Sequence, residues 1–175
     1  LGREDIVYSS AGSGQADFTV MIDFAHTPNA FEQILSAIRP SIKGKLIHVF
    51  GSAGQRDASK RPLMGEVSSK YADIIILTAE DPRSESVEKI TKEIESGIPP
   101  EARLAKGVMN HELRRTILRI PDRKEAIETA IKMAKKGDFA LITGKSHERS
   151  MNCGYGEKPW DEYAVVRKAL RLRHV

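Results

Sequence analysis

The sequence predicts an α/β fold built on a doubly wound, mostly parallel sheet. Short, unbroken apolar runs alternate with stretches of helical periodicity, and the connections between the two are short. Apolar runs of this kind are typical of strands that are buried on both faces of a parallel sheet. With 175 residues, 40% of them hydrophobic, the chain has enough apolar material for the core of one domain.

The predicted strands and helices alternate along the chain, as a doubly wound sheet requires. Apolar runs predict strands at residues 18–22, 46–50, 74–77 and 139–142, and a weaker run predicts one at 116–120. Helical stretches lie near residues 28–38, 59–71, 87–95, 123–136 and 161–171. The segment 96–115 contains two glycines and two adjacent prolines, so we expect an irregular excursion or a short helix there.

Local signals indicate where several of these elements begin and end. Thr27 is placed as the N-cap of the first helix, and Pro28 occupies the first helical position. Asp122 and Glu125 have the spacing of a capping box at the start of the next-to-last helix. We expect Gly137 to close that helix before the last strand.

The composition argues against several classes of protein. The chain holds 28 Lys and Arg against 24 Asp and Glu, and part of this small excess falls on the last helix. Such a run is typical of a solvated face, so we predict no nucleic acid partner. The single cysteine, Cys153, excludes a disulfide framework. Without a membrane-length apolar run or a signal peptide, the sequence predicts a cytoplasmic protein with no membrane partner.

Charged residues crowd the four junctions where predicted strands end, in segments 23–28, 51–57, 80–83 and 144–148. Ligands of open parallel sheets bind at this edge, where structure alone would need only turn residues. The four junctions therefore predict a binding site, and we expect Gly51 and Gly54 to let the backbone approach a ligand closely. This segment is not a P-loop, because no Gly-Lys-Ser/Thr follows, and it lacks the third glycine of a dinucleotide fingerprint.

The junction motifs resemble, in order and spacing, those of the C-terminal domain of the Mur ligases of peptidoglycan synthesis. The family motifs are approximately DYAHTP, GxGGDRDxxKRP, DNPR and GKGHE, and this chain reads DFAHTP, GSAGQRDASKRP, EDPR and GKSHE. Residues 1–4 also resemble the family sequence that joins the central domain to this one. Within the family, the resemblance is closest to the ligases that add the third amino acid of the stem peptide.

The resemblance implies a Rossmann-like domain that takes part in an ATP-dependent ligation. Residues 1–175 would form one C-terminal domain, with residues 1–4 as the end of a linker, and the Leu1 start suggests a piece of a longer protein. The full protein would join diaminopimelate, or another diamino acid, to a UDP-muramoyl dipeptide. Its central domain would hold ATP and Mg²⁺, so we expect no catalytic residue and no metal ligand here, and no ligation by this chain alone.

On the nucleotide side, the resemblance implies roles for three residues. Arg3 matches an arginine that reaches the nucleotide phosphates, and Asp23 matches a carboxylate near the ribose. His26 would lie beside them. The alternative for His26 is a residue at the helix start whose ring is bonded to a neighbouring backbone group.

On the amino-acid side, Arg56 and Arg83 match residues that clamp the carboxylates of the incoming amino acid, and arginine suits this role because its planar fork pairs both oxygens. Glu148 matches the acid that receives a distal ammonium, and the Gly144 backbone helps to hold the same end. Asp81 belongs to the same pocket. A structural role is equally open for four further residues: Lys60, Arg61, Lys145 and His147.

Asp81 conflicts with the pattern, because the family has an amide there that can donate to a ligand carboxylate, whereas a carboxylate repels it. Arg83 favours meso-diaminopimelate, and Asp81 favours a more cationic ligand such as lysine. If Arg83 binds a carboxylate, Asp81 has to point away or be engaged elsewhere, for which Arg56 is the candidate. The alternative for Arg83 is an ion pair with Glu80 or Glu85. We weigh the arginine more heavily and predict diaminopimelate.

Two other functions remain open from the sequence. One is a neighbouring ligase on the same fold, of the muropeptide-recycling or folylpolyglutamate type. The other is a module that binds an amino acid or a nucleotide without chemistry.

Overall fold

The computed structural model describes residues 2, 4–9, 18–103 and 115–173, and its main element is a six-stranded sheet with helices on both faces. The elements follow the chain as β1 (Asp5–Ser9), β2 (Thr19–Asp23), α1 (Pro28–Ile38), a 3₁₀ turn (Arg39–Ser41), β3 (Leu46–Phe50), α2 (Lys60–Tyr71), β4 (Ile74–Leu77), α3 (Val87–Ser96), α4 (Pro100–Arg103), β5 (Thr116–Arg119), α5 (Arg123–Met133), β6 (Phe139–Thr143), β7 (Ser150–Asn152), β8 (Glu157–Pro159) and α6 (Glu162–Arg173).

The sheet has the order β1-β2-β6-β3-β4-β5, and only β1 runs antiparallel to its neighbour. The central strands are level with one another, because Val49 pairs with Ile142 on one side and with Ile76 on the other. Their carboxyl ends therefore lie along one edge, where the loops that follow β2, β3, β4 and β6 meet. This edge is the place at which such sheets bind ligands.

Two apolar layers hold the helices to the sheet. Val20, Val49 and Ile142 face a core completed by α5 and α6, whereas Met21, Phe50 and Leu141 face one completed by α1, α2 and α3. Neighbouring residues of one strand point to opposite layers, as the pleat requires. The predicted fold class, a doubly wound and mostly parallel α/β sheet, is confirmed.

The two predicted N-cap residues, Thr27 and Asp122, are observed as N-caps. Thr27 Oγ1 accepts a hydrogen bond from the Ala30 amide at 3.2 Å, and Asp122 Oδ1 accepts one from the Glu125 amide at 2.9 Å. The helix α5 differs from the prediction: it ends at Met133 rather than at residue 136, because its C-cap residue already has extended backbone angles. Gly137, with a φ of 84°, turns the chain afterwards.

Three strands were not predicted: β1 and the two strands of the hairpin β7–β8. The vague segment 96–115 contains the short helix α4, and its residues 104–114 lie outside the described part of the chain. None of the helices described is long and apolar enough to span a bilayer.

Candidate functional site

The four sequence motifs meet at the carboxyl edge of the sheet through main-chain hydrogen bonds. The Gly54 amide donates to the Asp81 carbonyl at 2.9 Å, joining the loops after β3 and β4. The Gly144 amide donates to the Asp23 carbonyl at 3.3 Å, joining the loops after β6 and β2. The Arg83 amide donates to the Asn152 carbonyl at 3.0 Å, so the hairpin joins the same edge. The loops form one connected surface.

Gly51 and Gly54, where we expect the backbone to approach a ligand, lie in close contact with a neighbouring loop, and their approach to a ligand stays a prediction. A Cβ on Gly54 would lie 1.9 Å from the Pro82 carbonyl oxygen, and one on Gly51 would lie 2.4 Å from the Thr78 carbonyl oxygen. No side chain fits these distances, so the glycines let the loop after β3 pack directly on the loop after β4.

Backbone strain is concentrated at the same edge. Among the described residues, those with positive φ that are not glycine are Glu4, Gln55, Asp81, Arg83 and Ser146, with φ between 44° and 53°. All five lie in the loops of this surface or in the segment bound to it. Such conformations are costly for residues with a side chain and cluster at functional sites, so their position supports a binding role for this edge.

On the nucleotide side, a cavity of about 340 Å³ lies beside Asp23 and His26. Both oxygens of Asp23 are engaged by the backbone, one with the Glu4 amide at 2.8 Å and the other with the Ala25 amide at 2.7 Å. His26 Nδ1 lies 2.9 Å from the Phe24 carbonyl, which can only accept, so this nitrogen carries a proton. The backbone bond raised as the alternative for His26 is therefore present. Arg3 lies outside the described residues.

On the amino-acid side, Arg83 is held by a neutral partner. One of its guanidinium nitrogens donates to the Gly54 carbonyl at 2.6 Å. Within the described residues it forms no ion pair, and Glu85, its alternative partner, pairs with Arg61 at 3.0 Å instead. Arg56 is exposed on the adjoining loop. The two arginines expected to clamp carboxylates thus lie on neighbouring loops.

Asp81 is engaged by Lys145, not by Arg56. The Lys145 ammonium lies 2.8 Å from Asp81 Oδ1 and also pairs with Glu148, while the Asn152 amide donates to the same Asp81 oxygen at 2.9 Å. The Lys145 side chain is only 2% exposed, whereas those of Asp81 and Glu148 are 21% and 38% exposed. The predicted conflict between Asp81 and a ligand carboxylate is therefore relieved by an internal cation.

Glu80, which the sequence analysis did not select as a site residue, is buried between the two sides. One of its oxygens, Oε2, has no hydrogen-bond partner among the described residues, and a Cβ on Gly144 would lie 2.3 Å from it. Burial raises the pKa of Glu80 to about 7, against the opposing effect of nearby Arg123, Lys60 and Lys145.

A buried ion pair under this surface was also missed. Arg123 pairs with Glu162 through two nitrogens, and it donates to the Ala79 carbonyl at 3.1 Å and to the Thr143 carbonyl at 2.8 Å. These carbonyls directly precede Glu80 and Gly144. A signal was present in the sequence, since an arginine in the first turn of a helix opposes the helix dipole and has to find another partner.

Arg61 and Lys60, for which the sequence left a structural role open, both form contacts within the protein. Arg61 is fully buried, pairs with Glu85 and Glu93, and donates to the Ala53 carbonyl at 3.1 Å. Its hydrogen bond lowers the pKa of Glu85 to about 2, with a further contribution from the Gln55 amide. Lys60 donates to the His26 carbonyl at 2.9 Å, so it joins the loops after β2 and β3.

The remaining residue, His147, is exposed, and its ring lies against Phe24. Ser146, where the family motif has glycine, donates to the Gly2 carbonyl at 2.9 Å. In the described part of the chain, no three His, Cys, Asp or Glu side chains are grouped as metal ligands would be.

Curated relatives match most of the chain. The UDP-N-acetylmuramyl-tripeptide synthetase of Roseiflexus sp. (strain RS-1) is 45% identical over 153 residues, which are 87% of this chain and 28% of that protein. The UDP-N-acetylmuramoyl-L-alanyl-D-glutamate--2,6-diaminopimelate ligase of Aquifex aeolicus (strain VF5) is 41% identical over 169 residues, which are 97% of this chain and 31% of that protein. This chain therefore spans less than a third of the length of these relatives.

Solved structures agree with the sequence comparison. A structure of UDP-N-acetylmuramoyl-L-alanyl-D-glutamate--2,6-diaminopimelate ligase superimposes with a TM-score of 0.81 and 31% identity, over 100% of this chain and 32% of that one. E. coli FolC in complex with ADP superimposes with a TM-score of 0.56 at 17% identity, over 98% of this chain and 31% of that one, a likeness of fold alone.

The family model described as Mur ligase, glutamate ligase domain, matches residues 7–146, which confirms the resemblance found in the motifs. The carboxyl edge described above therefore lies largely within the part of the chain that the family model matches. This chain belongs to the Mur ligase family.

Proposed function

We propose that this chain is the C-terminal domain of an ATP-dependent ligase that adds meso-diaminopimelate to UDP-N-acetylmuramoyl-L-Ala-D-Glu. Residues 1–175 would be this single domain, with residues 1–4 ending the linker from a central domain. The family membership and relatives named for tripeptide synthesis or for diaminopimelate ligation support the reaction class. The choice of amino acid rests on the charges at the carboxyl edge.

The observation that carries the proposal is the environment of Arg83. Its guanidinium is fixed by a carbonyl, which is neutral. Of the two acids that are its alternative partners, Glu85 pairs with Arg61, and Glu80 forms no ion pair with Arg83 among the described residues. An arginine positioned in this way keeps its charge for an anion from outside, and its planar fork suits a carboxylate. Diaminopimelate carries a carboxylate at its far end, and lysine does not.

In this reaction the domain positions the amino acid for attack. When bound, ATP supplies the phosphoryl group that activates the dipeptide carboxylate, and Mg²⁺ screens the phosphate charges. On this chain Arg56 and Arg83 would hold the two carboxylates of the amino acid, and Glu148 with the Gly144 backbone would hold the distal ammonium. Fixing both ends leaves the free amine oriented toward the acyl group, which lowers the entropic cost of the reaction.

This chain would also contribute to the nucleotide site. The cavity beside Asp23 and His26 lies on the edge that ligands use, and the Asp23 carboxylate has acceptor capacity beyond its two backbone bonds. Arg3, Asp23 and His26 would contact the nucleotide, with most of the phosphate and Mg²⁺ ligands supplied by a central domain.

The test is a competition between meso-diaminopimelate and lysine in the full-length protein, supplied with ATP, Mg²⁺ and UDP-N-acetylmuramoyl-L-Ala-D-Glu. We expect diaminopimelate to be incorporated in clear excess. Equal or better incorporation of lysine would contradict the assignment of the amino acid, and turnover with neither would contradict the proposed reaction.

The role of Arg83 is tested in the same assay with Arg83→Ala. We expect kcat/KM for diaminopimelate to fall by a factor that corresponds to a loss of about 2–5 kcal/mol of transition-state stabilisation. KM for ATP should stay unchanged. Arg39→Ala is the matched control, because Arg39 pairs with Asp73 at the opposite edge of the sheet. An equal loss in both variants would show that Arg83 has no special part in binding the amino acid.

A further inference from the structure

The side chain of Lys145 is buried, and its ammonium lies between two acidic side chains. Its side chain is 2% exposed, and its ammonium bridges Asp81 and Glu148, which come from the loops after β4 and β6. Gly144 and Ser146, on either side of it, both have positive φ, so the backbone is bent at the two neighbours of the lysine. The loop thus places one cation between two acids of the amino-acid side.

The Lys145 ammonium occupies the place that a cationic ligand would seek. Asp81 and Glu148 together form a site for an ammonium group, and an ammonium can donate three hydrogen bonds. The lysine already supplies that group from within the chain. A ligand ending only in an ammonium therefore gains little from Asp81, because it would have to displace Lys145 first.

The balance of charge shows what the pocket accepts. Arg83 and Lys145 are positive, and Asp81 and Glu148 are negative, so the four side chains sum to zero. The far end of diaminopimelate, with one ammonium and one carboxylate, is also neutral, whereas the far end of lysine carries a positive charge. Without Lys145 the pocket would carry one net negative charge and would favour lysine.

We infer that Lys145 is a specificity-determining residue, which neutralises Asp81 and thereby selects an amino acid with a zwitterionic far end over one with a cationic far end. This inference rests on the proposed function. The lysine also stands in the family motif GKGHE; what is particular to this chain is that it compensates an aspartate at position 81, where the family motif has an amide.

If Lys145 determines specificity, the preference for diaminopimelate over lysine should follow the net charge of the pocket. A purely structural lysine would give no such order among the variants. Lys145→Met leaves the pocket at a net charge of minus one, and Asp81→Asn leaves it at plus one. The double variant Asp81→Asn/Lys145→Met returns it to zero. The preference for diaminopimelate over lysine should therefore rise from Lys145→Met, through the wild type and the double variant, to Asp81→Asn.

The experiment measures kcat/KM for each amino acid separately in the full-length protein and its variants. In Lys145→Met we expect the ratio of diaminopimelate to lysine to fall at least about 10-fold, mostly through KM, with KM for ATP unchanged. The double variant should return to within about 3-fold of the wild type, because the two charge changes cancel. Lys70→Met, on the exposed side of α2, is the control and should leave the ratio unchanged.

Equal losses for both amino acids in Lys145→Met, or a double variant that keeps the shifted ratio, would overturn the inference. If Lys145→Met does not fold, the comparison of the wild type, Asp81→Asn and the double variant decides, because Asp81→Asn alone should reject lysine more strongly. A wild type that discriminates while the variants fail to follow this order leaves the proposed function intact and removes only the role of Lys145.

Discussion

Two clusters of charge lie at the carboxyl edge of the same sheet, and they differ in what they hold. Arg123 and Glu162 are 1% and 0% exposed, and Arg123 also binds two main-chain carbonyls. Lys145 is equally buried, but its partners Asp81 and Glu148 are open to solvent. The first cluster fixes the backbone, and in the proposed function the second balances side chains at the amino-acid site. Under that proposal, stability and selectivity depend on different ion pairs.

The inner cluster acts on the backbone because of where its carbonyl partners lie. Ala79 lies two residues after the end of β4, and Thr143 is the last residue of β6; these two strands are separated in the sheet by β3. The guanidinium of Arg123 spans this distance and satisfies carbonyl groups at the point where strand pairing ends. It therefore sets the separation of the loops that carry Glu80 and Lys145.

The largest effect on stability is expected from breaking the inner cluster with Arg123→Met. This change leaves the Glu162 carboxylate buried, with Trp160 as its one remaining side-chain donor among the described residues, and it removes the donors to two carbonyls. We expect the free energy of unfolding in urea to fall by about 3–5 kcal/mol. Arg149→Met, which breaks an exposed pair with Asp161, should cost less than about 1 kcal/mol. Similar losses of unfolding free energy in both variants would contradict the assignment of a special structural role to the inner cluster.

The next largest effect on the free energy of unfolding is expected at Glu80, which lies between the two clusters. Its pKa is raised to about 7 from 4.5, so the folded protein holds the proton more tightly than the unfolded chain does. Relative to Glu80→Gln, the free energy of unfolding of the wild type should therefore fall as pH rises from about 4.5 through about 7, by about 3 kcal/mol at roughly 1.4 kcal/mol per pKa unit. The comparison cancels the opposite contribution of buried His48, whose pKa is lowered to about 3. Glu80→Gln should lack this decline and become the more stable protein at pH 8. Parallel profiles for the two proteins in urea would contradict the assignment.

A smaller effect is expected at Gly144, which connects the two clusters along the chain. Its φ is 111°, and an alanine Cβ would lie 2.3 Å from the Glu80 carboxylate. We expect Gly144→Ala to lose about 1–3 kcal/mol of unfolding free energy and to raise KM for the amino acid. Gly156→Ala is the matched control, since Gly156 has a φ of 101° with nothing near its Cβ position. If the control costs as much, then backbone strain alone explains the loss.

The smallest effect on stability is expected in the outer cluster. Glu148→Gln removes one partner of Lys145, but the Glu148 side chain is 38% exposed and Asp81 remains paired. We expect the free energy of unfolding, measured by thermal unfolding, to change by less than about 1 kcal/mol. KM for the amino acid should rise. A loss of stability comparable to that of Arg123→Met would mean that the outer cluster also holds the backbone.

The sequence was sufficient for the central part of the fold. The runs at 46–50 and 74–77 coincide with β3 and β4, because strands covered on both faces are predominantly apolar. The exception in β3 is His48, which is buried and hydrogen-bonded to Ser68 and Thr143. The edge strand β1 and the hairpin β7–β8 have no such run, since an edge or a surface hairpin can expose polar side chains. Nothing in their short segments separates them from loops.

For the site, the sequence predicted which loops meet but not how their charges pair. The position of Arg83 followed from its motif, whereas the pairing of Lys145 with Asp81 depends on contact between residues 64 positions apart. Burial decides such roles: Arg61 and Arg56 lie five positions apart in one motif, yet one is enclosed with two carboxylates and the other is exposed. The predicted ligand contacts of Arg56, Arg83 and Glu148 stay predictions.

The hydrogen bonds from Arg123 to two main-chain carbonyls have a consequence for how this domain can evolve. Every amino acid carries the same main-chain carbonyl, so this anchor places no demand on the side chains of the loops that it fixes. A mutation at position 81 or 146 can then alter what the loops recognise while their geometry persists. The aspartate and the serine found there, where the family motif has asparagine and glycine, stand at such positions. New amino-acid preferences could arise on this scaffold through single substitutions.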